Sequence, residues 1–398
     1  MLQLPVYLDN NATTRCDPRV VEAMLPFFTE HYGNAASRTH RYGWAAEEAV
    51  DLAREQAAHL AGAVKQEIVF TSGATEAINL AIKGVFEAYA AKGRHIITVE
   101  TEHKAVLDTC RHLEKLGASV TLLKVDGRGL IDLAALEAAI TPQTILVCVM
   151  YANNETGVIQ PIRAISDITR RHGVLLMTDA TQAMGKIPVN VESDGIDLMA
   201  FSAHKMHGPK GAGALYVRRR QPRVRLAAQI DGGGHERGMR SGTLNVPGIA
   251  GLGKACELAG AEMAVNSPRM AALRDRLEKG LLALEATSVN GSTGYRLPNV
   301  TNIAFGYTEG NALLTALNRD IAVSSGSACT SALPEPSHVL TAMGLEEELA
   351  HSSLRFSVSR FTTEEEIDHA IRSVTAVVEM QRKLRIDMPP AAATQGKQ

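Results

Sequence analysis

The 398 residues are 45% apolar and 21% charged, enough for a large core and too apolar for a disordered chain. Lys and Arg total 41 against 43 Asp and Glu, and a net charge of −2 removes any whole-molecule attraction to nucleic acid or an anionic membrane. Five cysteines (Cys16, Cys110, Cys148, Cys256, Cys329) without a CxxC spacing argue against a disulfide framework or zinc knuckle and suit a reducing cytoplasm.

In chain order, the opening MLQLPVYLDN has no basic stretch followed by an apolar one, so no signal peptide is expected. An amphipathic pattern over 42–61 predicts a helix. Short β-branched runs at 67–70, 95–99, 120–124, 144–150, 174–178, 198–201 and 214–217 predict strands, with helices at 76–91, 103–116, 133–140 and 162–172 between them. Buried strands alternating with helices make an α/β fold, its sheet mostly parallel and covered on both faces. The longest apolar run, Ile145 to Ala152, is far short of the roughly 20 residues that span a bilayer. From 245 to 285 the pattern is helical, apart from a break near Asn266 to Pro268. Beyond it, strand-like 300–305, 321–324 and 354–358 interleave with helical 310–318 and 363–383, a second, smaller α/β domain joined by the long helix. The closing MPPAAATQGKQ lacks bulky side chains and reads as a flexible tail.

Several motifs carry little. Residues 248–254 imitate a P-loop until Ala255 stands where Ser or Thr must hold magnesium, and they lie in a helical pattern. Gly232-Gly233-Gly234 lacks the GxGxxG register and a preceding strand. Arg218, Arg219, Arg220, Arg223 and Arg225 read as a solvated loop or as a docking surface for an acidic protein or RNA partner. His204 and His207 have no third ligand nearby, so no resident metal is expected.

Three segments carry chemistry. Phe201-Ser202-Ala203-His204-Lys205 puts a lysine after a strand and before the glycine-rich Gly208-Pro209-Lys210-Gly211. Desolvation and neighbouring cations lower the pKa of such a lysine and free its amine to bond a carbonyl group. Asp179 ends a predicted strand, with Gln182 three residues on. It reads as a helix N-cap or as the carboxylate that holds the pyridine nitrogen of pyridoxal phosphate. Thr71-Ser72-Gly73-Ala74-Thr75-Glu76 is a strand–turn–helix junction whose free N–H groups suit a phosphate. Together the three point to that cofactor.

Over these and further blocks the chain resembles the cysteine desulfurases, fold-type I pyridoxal-phosphate enzymes of the IscS and NifS branch. The likeness runs from Tyr7 and the DNNATT that starts at Asp9 to about Glu366. It passes through TSGATEAIN from Thr71, TEHKAVLDTC from Thr101, NNETG from Asn153, DATQ from Asp179 and SAHK from Ser202. It continues with GGGHERGMRSGT from Gly232, SSGSACTSA from Ser324 and LRFS from Leu354. The resemblance implies a large domain over 15–260 built on a mostly parallel seven-stranded sheet. A smaller domain, 1–14 with 261–387, would carry the Cys329 loop, and 388–398 would be the tail.

By the same resemblance Lys205 bonds pyridoxal 5'-phosphate, Asp179 pairs with its ring nitrogen, His103 stacks on the ring and moves protons, and Gln182 reaches the phenolic oxygen. Ala74, Thr75, Ser202 and His204 hold the phosphate, with Ala203 also among the cofactor-binding residues. Thr243 completes the phosphate site from the neighbouring subunit of a homodimer. Asn154 lies beside cofactor and substrate, and Arg355 pairs with the carboxylate of L-cysteine.

Cys329 distinguishes the reaction. Ser324 to Ser331 are small residues, the composition of a mobile loop. An unperturbed thiol is only a few per cent thiolate at neutral pH, so the site must deprotonate it. The resemblance implies that this thiol takes the substrate sulfur as a persulfide, leaves L-alanine, and passes the sulfur on. The acceptor would be an iron–sulfur scaffold, the nitrogenase-maturation machinery or tRNA thiolation, and Cys329 could also ligate a scaffold-bound cluster. A selenocysteine lyase or a class-V aminotransferase is the alternative use of the same cofactor. The DNNATT opening resembles the nitrogen-fixation branch, whereas 103–110, 235–243 and 349–368 resemble the housekeeping branch. Ala35 stands where the family usually has proline. The final residues lack the aromatic, histidine-rich end of the housekeeping branch, which leaves the Arg218 to Arg225 patch as another docking surface.

Overall fold

The computed structural model describes residues 2–325 and 336–384. The predicted strands form β1 (Ile68–Thr71), β2 (His95–Val99), β3 (Ser119–Leu123), β4 (Thr144–Cys148), β5 (Leu175–Asp179), β6 (Leu198–Ser202) and β7 (Gly213–Val217). They make one seven-stranded sheet in the order β1-β7-β6-β5-β4-β2-β3. Only β7 runs antiparallel to its neighbours. All strands except β3 are buried along their length, as unbroken apolar runs in a doubly covered sheet require.

Helices α1 (Arg41–Ala61), α2 (Ala74–Ala88), α3 (Lys104–Glu114), α4 (Leu133–Ala139) and α5 (Ile162–Arg171) supply the cover. Ile78, Ile82 and Val85 of α2 with Val106 and Leu113 of α3 pack on one face. The other face takes α1, α5 and the first half of α6 (Val246–Leu281).

The sequence predicts a break in this last helix near Asn266 to Pro268, yet α6 runs through Pro268 unbroken. The missing proline N–H costs about 3 kcal/mol inside a helix. Burial on both sides offsets it: Leu252, Ala255 and Cys256 belong to the large core, and Met270, Leu273, Leu277 and Leu281 to a second one.

That second core lies against an antiparallel sheet of β8 (Thr287–Val289), β9 (Val300–Phe305), β10 (Ser324–Ser325) and β11 (Ser353–Ser357), in the order β10-β11-β9-β8. It is covered by α7 (Gly310–Leu317) and α8 (Glu364–Leu384). The single strand predicted over 321–324 is divided. Ile321–Ala322 pairs in parallel with Val6–Tyr7, whereas Ser324 faces Arg355 across β10 and β11. The N-terminal segment thus runs beside β11, where Asp9 bridges Ser357. Cys329 and the tail from residue 388 lie outside the described residues. Among those described, no helix is long and apolar enough to cross a membrane.

Candidate active site

Strands of one direction end together, and the loops leaving β1, β2, β4, β5 and β6 open onto a cavity of about 720 Å³, the usual ligand position in such a sheet. It is lined by Ser72, Gly73, Ala74 and Thr75 after β1, His103 after β2 and Asn154 after β4. Asp179 and Gln182 come from β5 and the turn after it, and Ser202, His204 and Lys205 from the end of β6. Arg355 of β11 and Asn11, Ala12 and Thr13 complete the wall.

At one end, α2 starts at Ala74 with no side chain capping it. Its first-turn N–H groups are therefore available to an anion. The turn sits close against β7, because a Cβ on Gly213 would stand 2.5 Å from Gly73 Cα. Ser202 Oγ donates to Ala212 O at 3.3 Å, and His204 Nδ1 lies 3.1 Å from Thr13 Oγ1. Burial, then the nearby Lys205 ammonium, brings His204 down to about 4, so its ring is neutral at pH 7. Ala203, fully buried, is not among the lining residues.

Lys205 follows β6 in a short helical turn. Its Nζ donates to Asn11 O and Ala12 O, each at 2.6 Å. Burial, reinforced by the Arg355 guanidinium, brings it down to about 8. Asp179 is buried, and its Oδ1 accepts from Thr181 N at 2.9 Å, the cap-like bond that its position after a strand suggested. Gln182 Nε2 donates to Asn11 O at 2.9 Å. His103 caps α3, its Nδ1 accepting from Ala105 N at 3.1 Å, which leaves the proton of the neutral ring on Nε2.

Arg355 donates from Nη2 to Asp9 Oδ1 at 2.6 Å and from Nη1 to Asn154 O at 3.1 Å. Its buried Nε has no partner among the described residues. Thr243 is not brought to this cavity. It lines an adjoining one of about 170 Å³ with Thr71, Ser72, Gly211 and Arg240. His207 turns away from His204, its Nδ1 lying 2.9 Å from Arg15 O.

Two contributions carry no signature in the sequence. Asn11 and Ala12 act through backbone carbonyls, which any residue type supplies; only their place in the DNNATT block marks them. Lys186 is buried beneath Gln182, donating to its backbone O at 3.0 Å and its Oε1 at 3.2 Å. The one sign of it is the spacing of four residues.

An uncapped helix N-terminus, an amine of lowered pKa and a buried carboxylate match the phosphate, carbonyl and ring nitrogen of pyridoxal phosphate. Residues 6–370 match the family model for aminotransferase class-V. A cysteine desulfurase IscS of Anaeromyxobacter sp. (strain Fw109-5) is 59% identical over 98% of this chain and 95% of the relative. Another, from Shewanella sp. (strain MR-4), is 56% identical over 96% and 95%. Among solved structures, a NifS-like protein superimposes with a TM-score of 0.88 at 40% identity, covering 95% of this chain and all of that one. SspA in complex with cysteine gives 0.80 at 36% identity, over 90% of this chain and all of that one. The chain belongs to the class-V aminotransferase family, among its pyridoxal-phosphate-dependent cysteine desulfurases.

Proposed function

We propose that this enzyme draws sulfur from L-cysteine, releases L-alanine, and holds the sulfur as a persulfide on Cys329 for transfer to an acceptor protein. The observation that carries the reading is the convergence of Lys205, Asp179, Arg355 and the uncapped start of α2 on one cavity. Bound pyridoxal phosphate supplies an electron sink that makes the substrate's α-proton removable. Lys205 would hold the cofactor until the substrate amine displaces it, and the freed amine, at about 8, has a neutral fraction at physiological pH that accepts this proton. Asp179 keeps the ring nitrogen protonated, Gln182 donates to the phenolic oxygen, and Ala74, Thr75, Ser202 and the neutral His204 hold the phosphate. His103 donates from Nε2.

Arg355 receives the substrate carboxylate, and Asp9, its partner at 2.6 Å, holds the guanidinium in place until the exchange. Asn154, beside cofactor and substrate, orients the Arg355 guanidinium through its backbone carbonyl. Cys329 attacks the substrate sulfur as thiolate. An S–S bond forms while the C–S bond breaks, the electron pair and a proton end on carbon, and no external oxidant is consumed. The other cysteines are poor candidates: burial pushes Cys110 and Cys256 up to about 12 and raises Cys148 and Cys16 as well.

The working form is a cytoplasmic homodimer in which Thr243 completes the neighbouring phosphate site. Residues 15–260 form one domain, and 1–14 with 261–387 the other. An iron–sulfur scaffold is the acceptor, in keeping with the relatives named IscS. The holoprotein with L-cysteine and a reductant should give alanine and sulfide in equal amounts without a keto acid, and Cys329→Ser should keep the cofactor but lose both products. Alanine that appears only with a keto acid would make the enzyme an aminotransferase. Turnover confined to selenocysteine would make it a lyase.

A further inference from the structure

A lysine buried without a carboxylate is costly, and Lys186 is such a residue: it is 6% exposed and has no ion pair among the described residues. Its ammonium meets Gln182 O and Gln182 Oε1. It also lines a void of about 30 Å³ with Lys205, His207 and Arg360, room for about one water. From Gln182 the bonding continues: Nε2 donates to Asn11 O, the same carbonyl that accepts from Lys205 Nζ. Lys186 is thus two hydrogen-bonded groups away from the reactive amine.

The two ends of a carboxamide have nearly the same shape, so only their partners fix which end points where. An ammonium has donors and no acceptor; burial, then the Lys205 ammonium, brings Lys186 down to about 7, so the constraint on the amide is strongest below that pH. Turning the Gln182 amide over would set its N–H2 against the Lys186 ammonium and its oxygen against the Asn11 carbonyl, losing both bonds. We propose that Lys186 is a positioning residue that locks Gln182 with its oxygen inward and its N–H2 presented to the phenolic oxygen of the cofactor. The inference rests on the assignment of Gln182 given under Proposed function. A donor at that oxygen favours its anionic form; without the Lys186 bond only the Asn11 carbonyl opposes the turned amide, which would offer an oxygen there instead.

The test is the pH titration of the visible absorption of the holoprotein, together with thermal unfolding of each apoprotein to show that it folds. Gln182→Ala should move the spectral transition upward by about one pH unit, the size of one hydrogen bond to a charged group. Lys186→Met, nearly isosteric, should move it in the same direction by a smaller amount, because the Asn11 carbonyl still holds the amide. The double variant should match Gln182→Ala alone. Lys186→Leu carries the same expectation if Lys186→Met does not fold. A normal transition in Lys186→Met beside a shifted one in Gln182→Ala overturns the inference. So does additivity in the double variant, which would mean that Lys186 acts by charge on Lys205, His204, His207 or Arg360 and not through Gln182. If Gln182→Ala leaves the transition in place, the assignment of Gln182 itself falls, and the inference falls with it.

Discussion

Lys205 must be reachable and partly neutral: its acceptors are two carbonyls, neither carrying a full charge, and burial with the nearby Arg355 guanidinium lowers its pKa. Because the pKa is lowered, the reactive neutral form grows as pH rises through about 8. Capture of pyridoxal phosphate by the apoprotein should accelerate up to that pH and level off above it. An unperturbed lysine would keep accelerating toward about pH 10, and a rate profile of absorbance growth separates the two. Lys205→Ala should abolish turnover, and borohydride should fix no cofactor on that variant. At this scale the side chains with distinctive chemistry, Lys205, Asp179, Gln182 and Arg355, were legible from type, neighbours and resemblance. Asn11 and Ala12 were not, since a backbone carbonyl has no residue identity. Nor was Lys186, because nothing in TQAMGK distinguishes a buried lysine from an exposed one.

Among the elements, the sheet strands were legible to within a residue or two because burial on both faces leaves unbroken apolar runs. The division between Ile321–Ala322 and β10 was not, since two-residue strands have no periodicity to read. Neither was the continuity of α6, where packing on two cores overrides the proline. The β1–α2 turn depends on Gly213. Gly213→Ala would press a methyl on Gly73 and should weaken pyridoxal phosphate binding about tenfold or more, roughly 1.4 kcal/mol, as measured by equilibrium titration of the apoprotein.

A second element-scale expectation concerns Glu155, whose Oε2 accepts from Ser337 Oγ at 2.5 Å, at the cap of the helix His338–Ala342. Burial pushes Glu155 up to about 7, opposed by the Ser337 bond and Arg355. The folded protein therefore holds this proton where the unfolded chain has released it. Its contribution is favourable below about pH 4.5 and is lost as pH rises through about 7. Glu155→Gln should gain stability relative to the parent between pH 5 and 8, by at most about 3 kcal/mol, seen as a widening difference in unfolding midpoint.

For the molecule as a whole, Thr243 stands apart from the cavity of its own chain. On the proposed homodimer with Thr243 in the neighbouring site, a Lys205→Ala subunit mixed with a Thr243→Ala subunit should regain part of the activity, because one site per mixed dimer then carries both residues. Verified mixed dimers without recovery would mean that Thr243 acts within its own chain. The opening segment bears on how the chain is made. Asn10 Nδ2 donates to Ser357 O across 347 residues, and Val6–Tyr7 pairs with Ile321–Ala322. Val6, Tyr7 and Asn10 are thus synthesised long before the residues they pair with, whereas Asn11 and Ala12 meet Gln182 and Lys205 earlier. Until Arg355 and Ser357 have emerged, the wall that β11 supplies to the cavity is missing, so acquiring the cofactor belongs to the close of biosynthesis and not to any nascent intermediate. Ribosome-bound chains that stop short of Ser357 should accordingly retain no borohydride-fixed pyridoxal phosphate, whereas released full-length chains should.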